Sequence, residues 1–351
     1  MTNALKSLPD PRRFDTGHDN ALAALARRAP NEASATQQEN FLSVCAAIAD
    51  ALADGRETAV REAGRLTGSA AATALYWRAV EQALSPPPEN ALQIRVFAIP
   101  ILIVAGGRAD AVVSGVIPNP AALSELLARA GAFGPMRNFG LSNALATAES
   151  LESVALTELY RIARAADPDF SPGLDLPPED IRTATAEEAV YLRFFAGAAV
   201  TAHAAPSFVE TAASVGAWGM PFTRALSTQL QTPGLSVLPV PRPPQDPLQA
   251  LRNGRFAQRE LGFQLFLSNA LRKARMRSGD PDVTLAAHAD ESIRVRLTSP
   301  FDESLDEQYR WPLDPVDDLA AVTDSICSLL AECRLDRIDI LDTVQDVEKK
   351  N

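Results

Sequence analysis

The apolar positions change rhythm several times along the chain, and each change marks an expected element. From Glu39 to Ala83 they follow helical spacing, with Phe41, Leu42, Val44, Cys45, Ile48, Ala49 and Leu52 recurring every three or four residues. A second helix over about Gly68–Leu84 carries Leu75, Tyr76, Val80 and Leu84. Pro86-Pro87-Pro88 stops it, because proline lacks the N–H that a helix needs and crowds the preceding turn. The rhythm then shortens: Leu92-Gln93-Ile94-Arg95-Val96-Phe97 alternates before the run becomes wholly apolar to Ala105, which predicts a strand. Gly106-Gly107-Arg108-Ala109-Asp110 follows, and Ala111–Ile117 is strand-like again. The expected structure is a central hairpin turning on the glycine pair.

Asn119-Pro120 offers a cap and a first-turn proline for a helix over Ala121–Ala130. Further strands are expected at Met136–Leu145 and Ala189–Thr201, and helices at Ser150–Ala165 and Ser207–Leu230. The stretch Thr232–Pro247 reads as a stiff Pro-rich linker or an extended edge segment. Beyond it lie a long helix (about Pro247–Met276), a hairpin (Val283–His288 and Ser292–Thr298) and a short strand near Tyr309-Arg310-Trp311. A helix (Val316–Cys333) and a last strand (Ile338–Val344) complete the pattern.

The fold class is therefore α/β to α+β. A polar, partly disordered arm (1–38, with a short helix around Asn20–Arg28) precedes an α/β domain (39–231) whose N-terminal helices lead into a mixed sheet. A linker (232–247) then joins a smaller α+β domain (248–351) with an antiparallel sheet. A chain of 351 residues fits two domains.

Charge and composition narrow the function classes. A net charge of −11 repels nucleic acid and anionic membranes. No apolar run reaches the roughly 18–20 residues of a membrane span, and the first twenty residues lack the apolar core of a signal peptide, so a cytoplasmic location is expected. The abundance of Ala, Arg, Pro and Asp is what a GC-rich bacterial genome would give. Cys45, Cys327 and Cys333 are too scattered for a disulfide framework or a zinc site, and read as small hydrophobes.

The motifs that carry chemistry are sparse. Gly106-Gly107 lacks the spacing of a dinucleotide fingerprint or a phosphate loop, so no cofactor is expected. Gly140-Leu141-Ser142-Asn143-Ala144 loosely matches a nucleophile elbow with its last glycine replaced. With Asp175 and His203 downstream, Ser142 makes a candidate catalytic set for a small-molecule hydrolase acting in an inter-domain cleft. His203, however, lies in the apolar Val200–Ala205 and equally suits a core position. No metal site is expected: the acids at 302–307 and 314–318 lack ligand spacing, and Asp314 before Pro315 reads as a helix cap.

The distribution of charge says more. Between Leu251 and Ser278 seven basic residues face one acid, whereas Phe301–Asn351 holds fourteen acids and five bases. On an unbroken helix Arg252, Arg255, Arg259, Lys273 and Arg277 form a stripe beside Phe256, Phe263, Leu267, Ala270 and Ala274. Gly254 and Gly262 are potential bends in that helix. Such a face can bind the acidic or amphipathic surface of another protein, or dock on the chain's own acidic C-terminal segment. The functional expectation is a non-catalytic cytoplasmic adaptor, scaffold or assembly subunit that binds another protein through this face.

Overall fold

The computed structural model describes residues 21–28, 34–67, 69–84, 92–134, 138–153, 176–202, 213–277, 280–299, 301–302, 304–314, 317–335 and 337–341. His203, Asp175 and most of the N-terminal arm lie outside them. The described part is an α+β protein that divides into two compact units, one spanning Asp19–Gln258 and one built on Arg259–Asn351. The division falls inside a helix, downstream of the Pro-rich stretch. No helix among the described residues is long and apolar enough to cross a membrane.

In the first unit, helices α1 (Ala21–Arg28), α2 (Ser34–Ala53), α3 (Glu57–Arg65) and α4 (Ala70–Leu84) precede the 15-residue strand β1 (Leu92–Gly106). Next come β2 (Val112–Val113), α5 (Pro120–Arg129), β3 (Asn138–Leu141), α6 (Ala148–Ser153), β4 (Ile181–Arg182), β5 (Ala189–Ala202), α7 (Val215–Gln229) and β6 (Ser236–Pro241). The sheet order is β3-β5-β1-β6, and every neighbouring pair in it is antiparallel. The expected mixed sheet is thus a purely antiparallel one.

The central hairpin is also corrected. β1 pairs along its length with β5, from Leu92↔Ala202 to Ala105↔Ala189, while Val112–Val113 pairs with β4 in a separate two-stranded ribbon. A long apolar strand needs a partner of similar length, and Ala189–Ala202 supplies one. Val112–Val113 is too short, being followed by Ser114, Gly115 and Pro118. The glycine pair still turns the chain: Gly107 has φ 112° and donates its N–H to the Ala186 carbonyl. Thr183 then closes the turn, its hydroxyl donating to the Arg108 carbonyl at 2.6 Å and accepting from the Ala111 N–H at 3.0 Å. Those backbone groups are committed to the fold.

Alternation along β1 sends Phe97, Ile99, Ile101 and Ile103 into one core with Leu123 and Leu127 of α5 and Trp218, Phe222 and Leu226 of α7. α5 is capped as its sequence predicts, the Asn119 side chain accepting from the Ala122 N–H at 3.1 Å with Pro120 in the first turn. The Pro-rich stretch is the edge strand β6, not a linker. Because Arg242 N–H donates to the Pro100 carbonyl, the alternate residues 237, 239 and 241 point their backbone groups away from β1. Pro239 and Pro241 therefore occupy positions that need no donor, and the Pro239 carbonyl accepts from the Thr223 hydroxyl at 2.9 Å. That edge of the sheet is closed to further strands.

Helix α8 (Pro247–Arg277, 31 residues) opens within the first unit and closes in the second. After it come β7 (Asp282–His288), β8 (Ser292–Thr298), β9 (Asp306–Pro312), α9 (Leu319–Glu332) and β10 (Ile338–Ile340). The strand order is β10-β7-β8-β9; β7, β8 and β9 are antiparallel, but β10 runs parallel to β7, so this sheet is mixed. Asp318 caps α9, accepting from the Ala320 N–H at 3.0 Å, where Asp314 was the expected cap. The physical reason is local: the Asp317 carboxylate takes the Asp314 N–H and holds the preceding turn outside the helix.

Candidate functional site

The basic stretch 251–278 lies on α8, which the sequence starts with a well-formed cap. The Asp246 carboxylate accepts from the Gln249 N–H at 2.9 Å, and Pro247 occupies the first turn, where a missing N–H costs nothing. Neither glycine breaks the helix. Gly254 sits against Leu192 and Phe194 of β5, and Gly262 lies under the Tyr309 hydroxyl, so each marks a close approach of helix and sheet.

Burial pushes the Asp246 carboxyl up to about 7, against backbone N–H groups that draw it down. The folded state therefore holds this proton more tightly than the unfolded chain. The associated stability is full below about pH 4 and is lost as the pH rises through about 7. Asp246→Asn keeps a capping oxygen and removes the titration. Its urea midpoint should change less than that of the wild type between pH 5 and pH 8; identical pH dependence in both proteins would contradict this.

Of the expected binding face, Arg259 and Phe263 are turned inward. Arg259 is buried and forms a two-pronged ion pair with Asp317 at 2.6 and 3.0 Å. It also donates to the Pro312 carbonyl at 2.7 Å and sits 5.9 Å from the centre of the Trp311 ring. Phe263 is fully buried against Phe266, Tyr309 and Trp311, and Leu267, Ala270 and Ala274 are core residues as well. Tyr309 donates its hydroxyl to the Arg259 carbonyl, and burial pushes it up to about 12. Arg255 pairs with Glu152 at 3.1 Å, while Arg252 and Phe256 are half-buried. Docking on the acidic C-terminal segment thus accounts for Arg259 and Phe263, which are not available to a partner.

What stays outside is the C-terminal end of α8. Arg272, Lys273 and Arg275 are exposed: Arg272 donates to the neutral Asn269 side chain, Lys273 pairs with Glu307 at 2.8 Å, and Arg275 with Asp280 at 3.3 Å. Both ion pairs are open to solvent, with Lys273 and Arg275 about half exposed (49% and 52%). The Arg277 side chain lies outside the described residues. Periodicity could not separate the buried from the exposed half of the stripe, because the partner of Arg259 lies 58 residues away.

The candidate nucleophile takes a structural role. Ser142 is fully buried, its hydroxyl donates to the Ala144 carbonyl at 2.7 Å, and its N–H donates to the Ala196 carbonyl. A shallow depression of about 340 Å³ beside it is lined by Val116, Asn143, Ala144 and Leu176-Pro177-Pro178, with the serine hydroxyl turned away into the backbone. His203 and Asp175, its proposed companions, lie outside the described residues.

A cluster that sequence reasoning missed lies at the β7–β8 turn. Asp290 accepts from the Ser292 hydroxyl at 2.5 Å and pairs with Arg294 and Arg310, while His288 stands opposite Ser292 across the hairpin. Burial, with Arg294 nearby, lowers the His288 pKa, against the pull of Asp290 in the other direction. Ser292 is fully buried and donates its hydroxyl hydrogen bond to Asp290, so the group fastens the turn. Burial likewise pushes the Cys45 thiol up to about 11, which keeps it protonated and unreactive. Among the described residues no group of His, Cys, Asp or Glu is placed to hold a metal ion. In comparisons with protein-family models, curated proteins and solved structures, nothing matches this chain.

Proposed function

We propose that the protein is a non-catalytic cytoplasmic adaptor or assembly subunit that binds an acidic surface of another protein through the C-terminal end of α8. The observation that carries this reading is the exposed trio Arg272, Lys273 and Arg275 within the last turns of one helix. Their present contacts are a neutral amide, the carboxylates of Glu307 and Asp280 in pairs open to solvent, and, for Arg275, the Cys333 carbonyl at 3.3 Å. Exposed pairs of this kind are worth roughly 0–1 kcal/mol, so carboxylates on a partner can replace them at little cost. Cations placed together in this way also steer an acidic partner during encounter.

The hydrolase reading receives less support, because Ser142 is enclosed and its hydroxyl is engaged by the backbone. The test is quantitative co-purification from the source cells with the tagged wild type and with R272E/K273E/R275E. A stoichiometric partner should accompany the wild type and be lost from the variant, whose thermal midpoint stays within a few degrees. Equal recovery by both proteins would refute the proposed surface. Charge reversal at Arg259 is unsuitable for this purpose, since it would leave Asp317 buried without its cation.

A further inference from the structure

The second sheet has an open edge that is complementary to itself. Leu313 N–H donates to the Glu291 carbonyl, which fixes the β8–β9 register: residues 307, 309 and 311 exchange hydrogen bonds with β8, and 306, 308 and 310 point their N–H and C=O groups outward. β9 ends the strand order, and no strand among the described residues pairs with its outer side. Unlike β6, it carries no proline at 306, 308 or 310; the proline at its end, Pro312, has its carbonyl taken by Arg259.

The sequence of the strand is Asp306-Glu307-Gln308-Tyr309-Arg310-Trp311-Pro312. An antiparallel copy of β9 centred on Gln308 sets Asp306 opposite Arg310 of the partner, Gln308 opposite itself, and Arg310 opposite Asp306 of the partner. These are also the residues with outward backbone groups, so pleat and charge agree on one register. Three facing pairs exchange about six backbone hydrogen bonds, and opposite charges stand across the seam at both ends.

Asp306 already holds Arg296 at 2.7 and 2.9 Å, and a carboxylate has further lone pairs for a second guanidinium. Arg310 is more than half exposed (58%); its Nε and one terminal nitrogen reach Asp290, which leaves the other terminal nitrogen to turn outward. The segment that leads from β8 into β9 bears Phe301, 83% exposed, the most exposed large hydrophobic side chain among the described residues. The register that pairs 306 with 310 brings the loop bearing Phe301 alongside Pro312 of the second copy.

We propose that the chain forms a two-fold homodimer by antiparallel pairing of β9 with β9, joining two four-stranded sheets into one. This proposal is independent of the acidic-partner reading, which uses α8. The dimer is small in contact area, so its Kd is expected on the order of micromolar.

Sedimentation velocity over a concentration series tests it, with three variants beside the wild type. The wild type should approach twice its 37.5 kDa mass at about 100 µM and above. Gln308→Pro removes only an outward N–H, leaves the bonds to β8 in place, and should abolish the dimer with an unchanged thermal midpoint. Asp306→Arg sets like charges opposite each other and should weaken the dimer at least about tenfold, whereas D306R/R310D restores complementarity and should regain it. A monomer at every concentration would overturn the proposal, as would a dimer indifferent to these changes. Slow amide exchange at 306, 308 and 310 in the dilute monomer would overturn it too, by showing that another segment of the chain covers the edge.

Discussion

Arg259→Ala should lower the unfolding free energy by about 3–5 kcal/mol, the largest loss expected from any single charged residue of the C-terminal unit. The guanidinium and the Asp317 carboxylate are each nearly inaccessible, with side-chain exposures of 9% and 5%. Removing the cation leaves a buried carboxylate facing the Asp314 N–H, and it strips a hydrogen bond from the Pro312 carbonyl at the end of β9. It also withdraws the guanidinium from the Trp311 ring, which closes the aromatic cluster around Phe263. Asp317→Ala should cost a similar amount. The double variant should cost clearly less than the two single losses added together, since each single change leaves one charge stranded. Urea unfolding of the four proteins measures this. A single-variant loss of about 1 kcal/mol or less, typical of exposed pairs, would contradict the assigned role.

Gly197→Ala should cost about 3 kcal/mol or more, although it adds only one methyl group. Gly197 faces Phe97 across the β1–β5 pair, and a Cβ there would run into the Phe97 ring on one side and the Gly140 carbonyl oxygen on the other. The carbonyl belongs to the backbone of β3 and cannot rotate aside. The ring is held in turn by Phe133, 4.6 Å away between centroids, and by Phe139 at 6.4 Å. Relief therefore requires β3 to separate from β5 or Phe97 to leave its rotamer. Phe97→Leu in the same chain should recover part of the loss and not all of it, because the carbonyl remains. Thermal unfolding of the set decides the point: a Gly197→Ala loss within about 0.5 kcal/mol would mean that the strands have room which the packing denies.

These two positions illustrate what the sequence could and could not reveal. Local signals were legible. Asn119-Pro120 announced its helix, the β7–β8 hairpin followed from alternation on either side of Asp290-Glu291, and α8 spans the predicted stretch. Pairings between distant segments were not. The partner of β1 begins more than eighty residues beyond its end, and nothing in IRVFAIPILIVAGG distinguishes β5 from Val112–Val113 as a neighbour. The prolines of β6 misled for the same reason: their spacing suits a linker as well as the outward side of an edge strand, and only the register separates the two.

The candidate site was half legible. The helix and its basic character followed from spacing and charge counts, whereas Gly254 and Gly262 left its continuity open. Which arginines meet solvent depends on where Asp317, Glu152 and Glu307 come to lie. Ser142 shows the opposite error, in which a short motif suggests chemistry that burial and a backbone hydrogen bond then withdraw.

In the proposed function α8 presents a cationic end to an acidic protein, while Arg259 and Phe263 in its middle serve the core. Titration calorimetry of the co-purified partner against the wild type and R272E/K273E/R275E tests it most directly, at low and at moderate salt. Binding should weaken with salt in the wild type and be at least about tenfold weaker in the variant at low salt, with the variant's thermal midpoint within a few degrees of the wild type. Equal affinities for the two proteins, insensitive to salt, would contradict it.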